Sequence, residues 1–372
     1  MDAFQSPHGR NESLTFLYGR ISLSIILLLS LVPIRLRASS GTEGASFLDI
    51  PVGAGPASLG SAYTALATDA YAPTSNPAGL GFLKGTELAT QYLSYIQSIQ
   101  YEHLGFVIPL PQGQDSTIRR GLGVSIQNLG TGDITRTDVA NGAPVTGLGS
   151  FSSQWGSYNL SYGQTITDKL GLGLTGKLIH ASIDDVSANA YAFDAGGLYQ
   201  WNERLALAAA VVNVGTPLKF ISEGDSLPME AHAGASYRPN RQWMVSAEGW
   251  YAKTGLASFH MGSQWQPIEA VSLRVGYETD RLNGLDALAG FTAGIGIHVW
   301  GQELAYAWVP YGELGNSQYF SLVMRFGGQD KRNLKTVLQI PVNPSSLQET
   351  RGDDVMDMEQ MAANTNVIKE LQ

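Results

Sequence analysis

The residues of this 372-residue chain with the most chemical potential are His232, His260 and His298, with the charged set Lys177, Asp194, Glu248, Arg274, Glu278 and Arg325. Histidine beside a carboxylate or hydroxyl can move protons, and with further ligands it can hold a metal ion. Such chemistry needs a fixed constellation. The sequence has no GxSxG elbow, no HExxH and no GxxxxGK[ST] phosphate loop, and lone GxG matches among scattered glycines carry no weight. Cysteine is absent, which removes thiolate ligands, disulfides and a lipid-modified amino-terminal cysteine. Asp184 and Asp185 offer oxygen ligands suited to calcium, although a solvated loop is the simpler account. The reading at this point is a protein that is not an enzyme, with no catalytic residue, metal site or cofactor. The formal charge of -9 argues against nucleic acid as a partner, because affinity for phosphates comes chiefly from Lys and Arg.

What must position these residues is a set of strands. With 43 Gly, 16 Tyr, 7 Trp and 15% charged residues, the composition favours an all-β protein. From Glu87 onward every second residue is large and apolar: Leu122, Val124 and Ile126 alternate with Gly123, Ser125 and Gln127, and Val271, Leu273, Val275 and Tyr277 with Ser272, Arg274, Gly276 and Glu278. Period two places each set on one face. The histidines and charges named above fall on the small or polar face. An inward charge on the lipid side of a membrane barrel would cost about 2–4 kcal/mol near the midplane, so the lumen is where Lys177, Asp194, Glu248, Arg274, Glu278, His298 and Arg325 belong. There they either line a solute path or pair across a filled interior, and pairing is the preferred expectation.

Past Gly41 no apolar stretch approaches the roughly 20 residues of a membrane helix, so insertion must use strands closed into a barrel. Segments of about 9 to 11 residues, aromatics near segment ends such as Trp201, Trp243, Tyr251, Trp265, Trp300, Trp308 and Phe326, and tight connections alternating with long ones fit that architecture. The expectation is a transmembrane antiparallel β-barrel of about 14 strands over 87–327. An amino-terminal plug or hatch segment over 41–86 should precede it, with a helix-compatible stretch around Ala57 to Ala67. The apolar run Ile21 to Ile34 follows Arg10 and Arg20 and precedes Ala38, Ser39 and Ser40, which suits a signal peptide over 1–40 better than a single membrane anchor. Residues 328–372 read as a polar periplasmic tail.

The stretch GAGPASLGSAYTALATDAYAPTSNPAGLG, Gly53 to Gly81, followed by ELATQYLSYIQSIQYEHLGFVIPL, resembles the PorV/PorQ family of outer-membrane proteins, relatives of FadL-type channels. Asn76, Pro77, Ala78, Gly79 and Leu80 look like the family's NPAGL element in a hatch before the first strand, and Asp69 fits its acidic position upstream. The family usually carries Arg and Met where this chain reads Pro56, Ala57, Ser58 and Leu59. The resemblance implies a 14-stranded barrel in the outer membrane of a Gram-negative-type bacterium, in contact with outer-membrane lipid. It implies an accessory role in protein secretion or surface assembly, with secretion-machinery proteins as partners. The alternative is passive transport of a hydrophobic small-molecule solute. Physically, Asn-Pro-Ala-Gly suits a rigid turn: Asn bonds nearby backbone, Pro fixes one dihedral and Gly permits unusual ones.

Overall fold

Alternation from Thr86 onward folds as fourteen long strands. In a computed structural model the described residues are 43–95, 99–112, 117–140, 143–145, 147–280 and 287–327; the expected signal segment (1–40) and polar tail (328–372) lie outside them. The barrel strands are β1 (Thr86–Ser94), β2 (Gln100–Leu110), β3 (Arg120–Gly130), β4 (Ser153–Thr165), β5 (Leu170–Ile183), β6 (Val186–Gln200) and β7 (Leu205–Gly215). They continue with β8 (Glu230–Tyr237), β9 (Trp243–Ala252), β10 (Ala257–Ile268), β11 (Val271–Glu278), β12 (Phe291–Val299), β13 (Gln302–Pro310) and β14 (Asn316–Phe326). Each pairs antiparallel with its neighbours, and β1 pairs with β14 from Thr86↔Phe326 to Ser94↔Gln318, which closes the barrel. Closure satisfies every edge, the condition for crossing hydrocarbon with strands.

Side-chain size decides which face looks where. On β3, Gly121, Gly123, Ser125 and Gln127 point inward and are buried, while Leu122, Val124 and Ile126 point outward and are exposed. The same holds for Leu172, Leu174 and Leu178 on β5 and Leu273 and Val275 on β11. An apolar wall this extensive is stable against lipid rather than water. Trp201, Trp243, Trp265, Trp300 and Phe326 ring one end and Tyr251 and Trp308 the other, all exposed, with Trp243 stacked on Trp265 at 5.8 Å.

Strands run from 8 to 15 residues, a wider spread than the expected 9 to 11. The longest, β4 to β6, carry their pairing beyond the apolar belt to a tight turn at Asp184, which adopts a left-handed φ of 58° and pairs with Arg136. Connections at the end where the barrel begins and finishes are mostly short, such as 300–301 and 269–270. The opposite end carries 131–152 and 216–229, in which short two-strand ladders fold back on themselves, and the connection between β11 and β12. Pairing from β14 through β1 to β6 has no register shift; bulges fall between β6 and β7 at Phe193/Ala195 and between β10 and β11 at Trp265/Ile268.

Residues 43–85 fill the lumen with short turns: a 3₁₀ turn at Ser46–Asp49, helical turns α1 (Ala54–Ser58) and α2 (Ala72–Ser75), and a 3₁₀ run at Pro77–Phe82. The expected helix at Ala57 to Ala67 does not form. Helix α1 stops at Ser58 because Gly60 and Ser61 both turn left-handed, at φ of 60° and 61°. That turn lets Leu59 and Gly60 lie flat on the barrel wall. Buried Leu80, Tyr71, Ala67 and Ala70 face buried Val107, Ala89 and Tyr101, so the core lies between hatch and inner wall.

Candidate functional site: the hatch in the lumen

Asn76 is fully buried and organises the NPAGL turn. Its Oδ1 accepts from Ala78 N at 3.1 Å, and its Nδ2 donates to the Thr64 carbonyl at 3.0 Å and the Gly197 carbonyl at 3.2 Å. One amide thus caps the 3₁₀ run, ties two hatch segments together and fastens them to β6. Pro77, at the first turn position, lacks an N–H that would otherwise be stranded. Gly79 packs so tightly against the Ala67 carbonyl that a Cβ would overlap it.

The wall that receives this turn is made of glycines. A Cβ on Gly163 would stand 2.8 Å from Leu80 Cβ, one on Gly171 would stand 2.6 Å from the Phe82 ring, and Gly121, Gly173 and Gly196 are tighter still against Leu80, Pro77 and Asn76. A second seat takes the left-handed turn: Gly262 and Gly276 face Leu59 and Gly60, and Gly294 faces Ser58. Both seats are inward positions of strands whose outward neighbours are bulky.

Wall side chains also satisfy the hatch backbone. Gly53 N donates to Gln91, Ala54 N to Ser321 Oγ at 3.2 Å, Gly60 N to Thr292 Oγ1 at 3.1 Å, Thr64 N to Glu248 Oε2 at 2.9 Å and Ala70 N to Glu87 Oε2 at 3.2 Å. An irregular buried chain bonds itself only in part, through turns such as Leu66 N and Ala67 N to the Tyr63 carbonyl, and the barrel supplies the remaining partners.

The charged residues occupy separate places. Lys177 and Asp194 pair at 2.8 Å, both buried; Lys177 also donates to Asn213 Oδ1 at 2.6 Å, and Asp194 accepts from Asn213 N at 2.8 Å. This cluster sits at the β6–β7 bulge, where Asn213 takes a left-handed φ of 58°. Glu248 accepts from the Trp250 indole at 2.7 Å besides Thr64, and Glu278 accepts from Ser61 Oγ at 3.1 Å. Arg274 pairs with Glu303 at 2.6 Å, and Arg325 reaches both Glu303 and Glu87 at 3.4 Å. His298 lies beside this group, 3.2 Å from Ser272 Oγ.

The histidines are held rather than poised. Trp250 is sandwiched between His232 and His260, with ring centroids 4.2 and 4.0 Å away. His260 Nδ1 lies 2.9 Å from the Gly60 carbonyl and therefore carries the proton, while Nε2 faces Ser258 at 2.8 Å. Its ligand atom falls within 4.8 Å of one from Glu278 and one from Asp280, but Nδ1, 3.6 Å from Glu278, already donates to the Gly60 carbonyl, and the Nε2 lone pair is engaged by Ser258 Oγ.

On the hatch itself, Tyr63 Oη donates to Asp69 at 2.5 Å, and Tyr71 N donates to the other oxygen at 3.0 Å. Burial raises the Asp69 carboxyl above the ordinary aspartate range; the bonds from Tyr63 and Tyr71 oppose that without overcoming it.

Three cavities follow one another through the lumen. The first, about 190 Å³, is bounded by Tyr95, Tyr311 and Asp280 at the long-loop end. The second, about 60 Å³, lies among Ile50, Val52, Val212 and Trp250. The third, about 250 Å³, opens between Lys84, Glu87 and Arg325 at the short-turn end. The first and second share Asp49, Ile50, Pro51, Ser61 and Trp250 as their divider; the second and third share Pro56 and Tyr63.

Sequence reasoning missed the seat glycines, Glu303, Glu87, Asn213 and Tyr63. The glycines left a signal, since LGLGL at Leu170–Leu174 alternates bulky with nothing rather than bulky with polar. Glu303 left one too, as the single charge in phase with Ala305 and Ala307.

The structure is similar to that of the toluene transporter TbuX of Ralstonia pickettii, with a TM-score of 0.54 at 15% identity, covering 74% of this chain and 98% of that one. The two share a fold. The toluene transporter TodX of Pseudomonas putida gives a TM-score of 0.50 at 15% identity, covering 73% of this chain and 96% of the other. CymD, a monoaromatic hydrocarbon channel, gives 0.50 at 13%, covering 74% and 98%. No protein-family model matches the sequence, and no curated protein matches it. The matches show the fold of these barrels and carry nothing specific to PorV/PorQ.

Proposed function

We propose that this protein is an outer-membrane channel for hydrophobic small molecules, reached after export by its amino-terminal segment, with the hatch standing in the path. The observation that carries the reading is the row of three cavities along a hatch-filled lumen, in a fold shared over 98% of the length of a toluene transporter. In this orientation the short-turn end is periplasmic and the long loops are external. The middle cavity has a mixed lining: Leu48, Ile50, Val52, Val212 and Trp250 offer an apolar side to a solute, and Asp49, Lys177, Glu230 and His232 a polar one. At about 60 Å³ it is the tightest of the three, so passage requires the hatch to shift. The resemblance of the Gly53 to Gly81 segment to PorV/PorQ is the sole support for a role in protein secretion, and no feature of the lumen adds to it.

A deletion strain tests the proposal. Uptake of radiolabelled toluene should fall on deletion and return on complementation. Unchanged uptake together with loss of surface-exposed protein cargo would overturn the channel reading in favour of secretion.

A further inference from the structure

The second and third cavities lie on opposite sides of the hatch and have two lining residues in common, Pro56 and Tyr63. Pro56 is part of α1 and is buried, with a ring that cannot swing away. Tyr63 is half-buried and carries the one large movable group between the two spaces. Its backbone is pinned: its carbonyl accepts from Leu66 N at 2.8 Å and Ala67 N at 3.0 Å, and Thr64 beside it is tied to Glu248. Its side chain is held by the bond to Asp69 and by an edge-on contact with Tyr71, centroids 6.4 Å apart at 78°. Asp69 is itself fixed by Tyr71 N. The ring can therefore leave by rotation about its own side-chain bonds, at the cost of one hydrogen bond, while the rest of the hatch keeps its seat.

From this we infer that Tyr63 is the partition of the lumen path and that its hydrogen bond to Asp69 is the latch that keeps the partition shut. The inference rests on the lumen being the solute path. It adds which residue closes that path and what holds it closed. Neither Tyr63 nor its bond is part of the NPAGL turn, so the turn can stay seated while the partition opens.

The test uses the full-length protein in planar bilayers, reading potassium chloride conductance, with fold checked by heat-modifiable gel mobility and circular dichroism. Wild type should show leak alone. Tyr63→Ala should raise the conductance above wild type by joining the second and third cavities, with the divider between the first and second as the remaining resistance, and Tyr63→Phe, which keeps the ring and loses the bond, should raise it less and intermittently. Leu174→Ala, on the outward face of β5 and away from the lumen, should behave as wild type. A folded Tyr63→Ala protein with wild-type conductance overturns the partition, and Tyr63→Phe traces indistinguishable from wild type overturn the latch, whether or not the alanine variant folds. Toluene uptake by proteoliposomes of the wild type, run in parallel, separates the two claims: failure there sinks the channel reading, whereas ion conductance reports on Tyr63 alone.

Discussion

Along β3 to β6 the hatch is held by shape: Gly121, Gly163, Gly171, Gly173 and Gly196 form a wall without side chains, and the Pro77–Phe82 run lies in it at backbone contact. Along β11, β13, β14 and β1, across the ring of strands, charge predominates: Arg274, Glu303, Arg325 and Glu87 form a linked network facing the 250 Å³ cavity. A shape seat has no adjustable part and fails on the addition of one carbon. A charge seat can rearrange its partners and leaves room for solvent, which is why the large cavity lies on that side. The difference assigns anchoring to the glycine contacts, on β3 to β6 and at Gly262, Gly276 and Gly294, and movement to the space beside the charged network.

The largest effect expected is at the charged arc. Arg274→Met leaves Glu303 buried beside a weaker partner and should lower stability by about 3–5 kcal/mol, as loss of one member of a buried pair does. Arg274→Met with Glu303→Met should regain most of that in denaturant titrations, and a double variant as unstable as the single one would show that packing, not charge, holds this side. At the glycine arc, Gly173→Val forces a side chain into the Pro77 backbone and should cost about 1–3 kcal/mol as an overpacked site, seen as faster proteolysis of the hatch. The comparison is Gly249→Val, on the lipid face with open space around its Cβ position, where melting should be unchanged. Equal damage at both would reduce the seat to ordinary strand propensity.

A smaller effect concerns pH. The Asp69 carboxyl is raised in the folded protein, so the stability it contributes is full below the ordinary aspartate range and is lost as pH rises through the raised value. Asp69→Asn keeps an acceptor for Tyr63 and removes the charge. Thermal melts across that window should slope downward with pH more in wild type than in the variant; parallel curves would discard the burial argument.

Much of the barrel was legible in the sequence because period-two alternation is local: Leu122, Val124 and Ile126 announce an outward face whatever lies inside. The seats were not, because whether Gly173 is a gap or a contact depends on a segment about a hundred residues earlier. Asp69 and Asn76 to Leu80 came from resemblance, and their bonds to Tyr63, Thr64 and Gly197 could not be read from spacing. The helix expected at Ala57 to Ala67 failed for the same reason, since wall contact at Gly262 and Gly276 overrides the local preference of an Ala-rich run. Tyr63 left no signal at all.

Hydrogen exchange on the full-length protein in nanodiscs tests the central claim, that the amino-terminal segment is seated in the lumen by its contacts with the wall. Amides of Gly60, Thr64, Ala70 and Ala78, each bonded to a side chain in the interior, should exchange as slowly as those of the barrel strands. Exchange of the same amides at the rate of a free peptide, with the strands still protected, would contradict it.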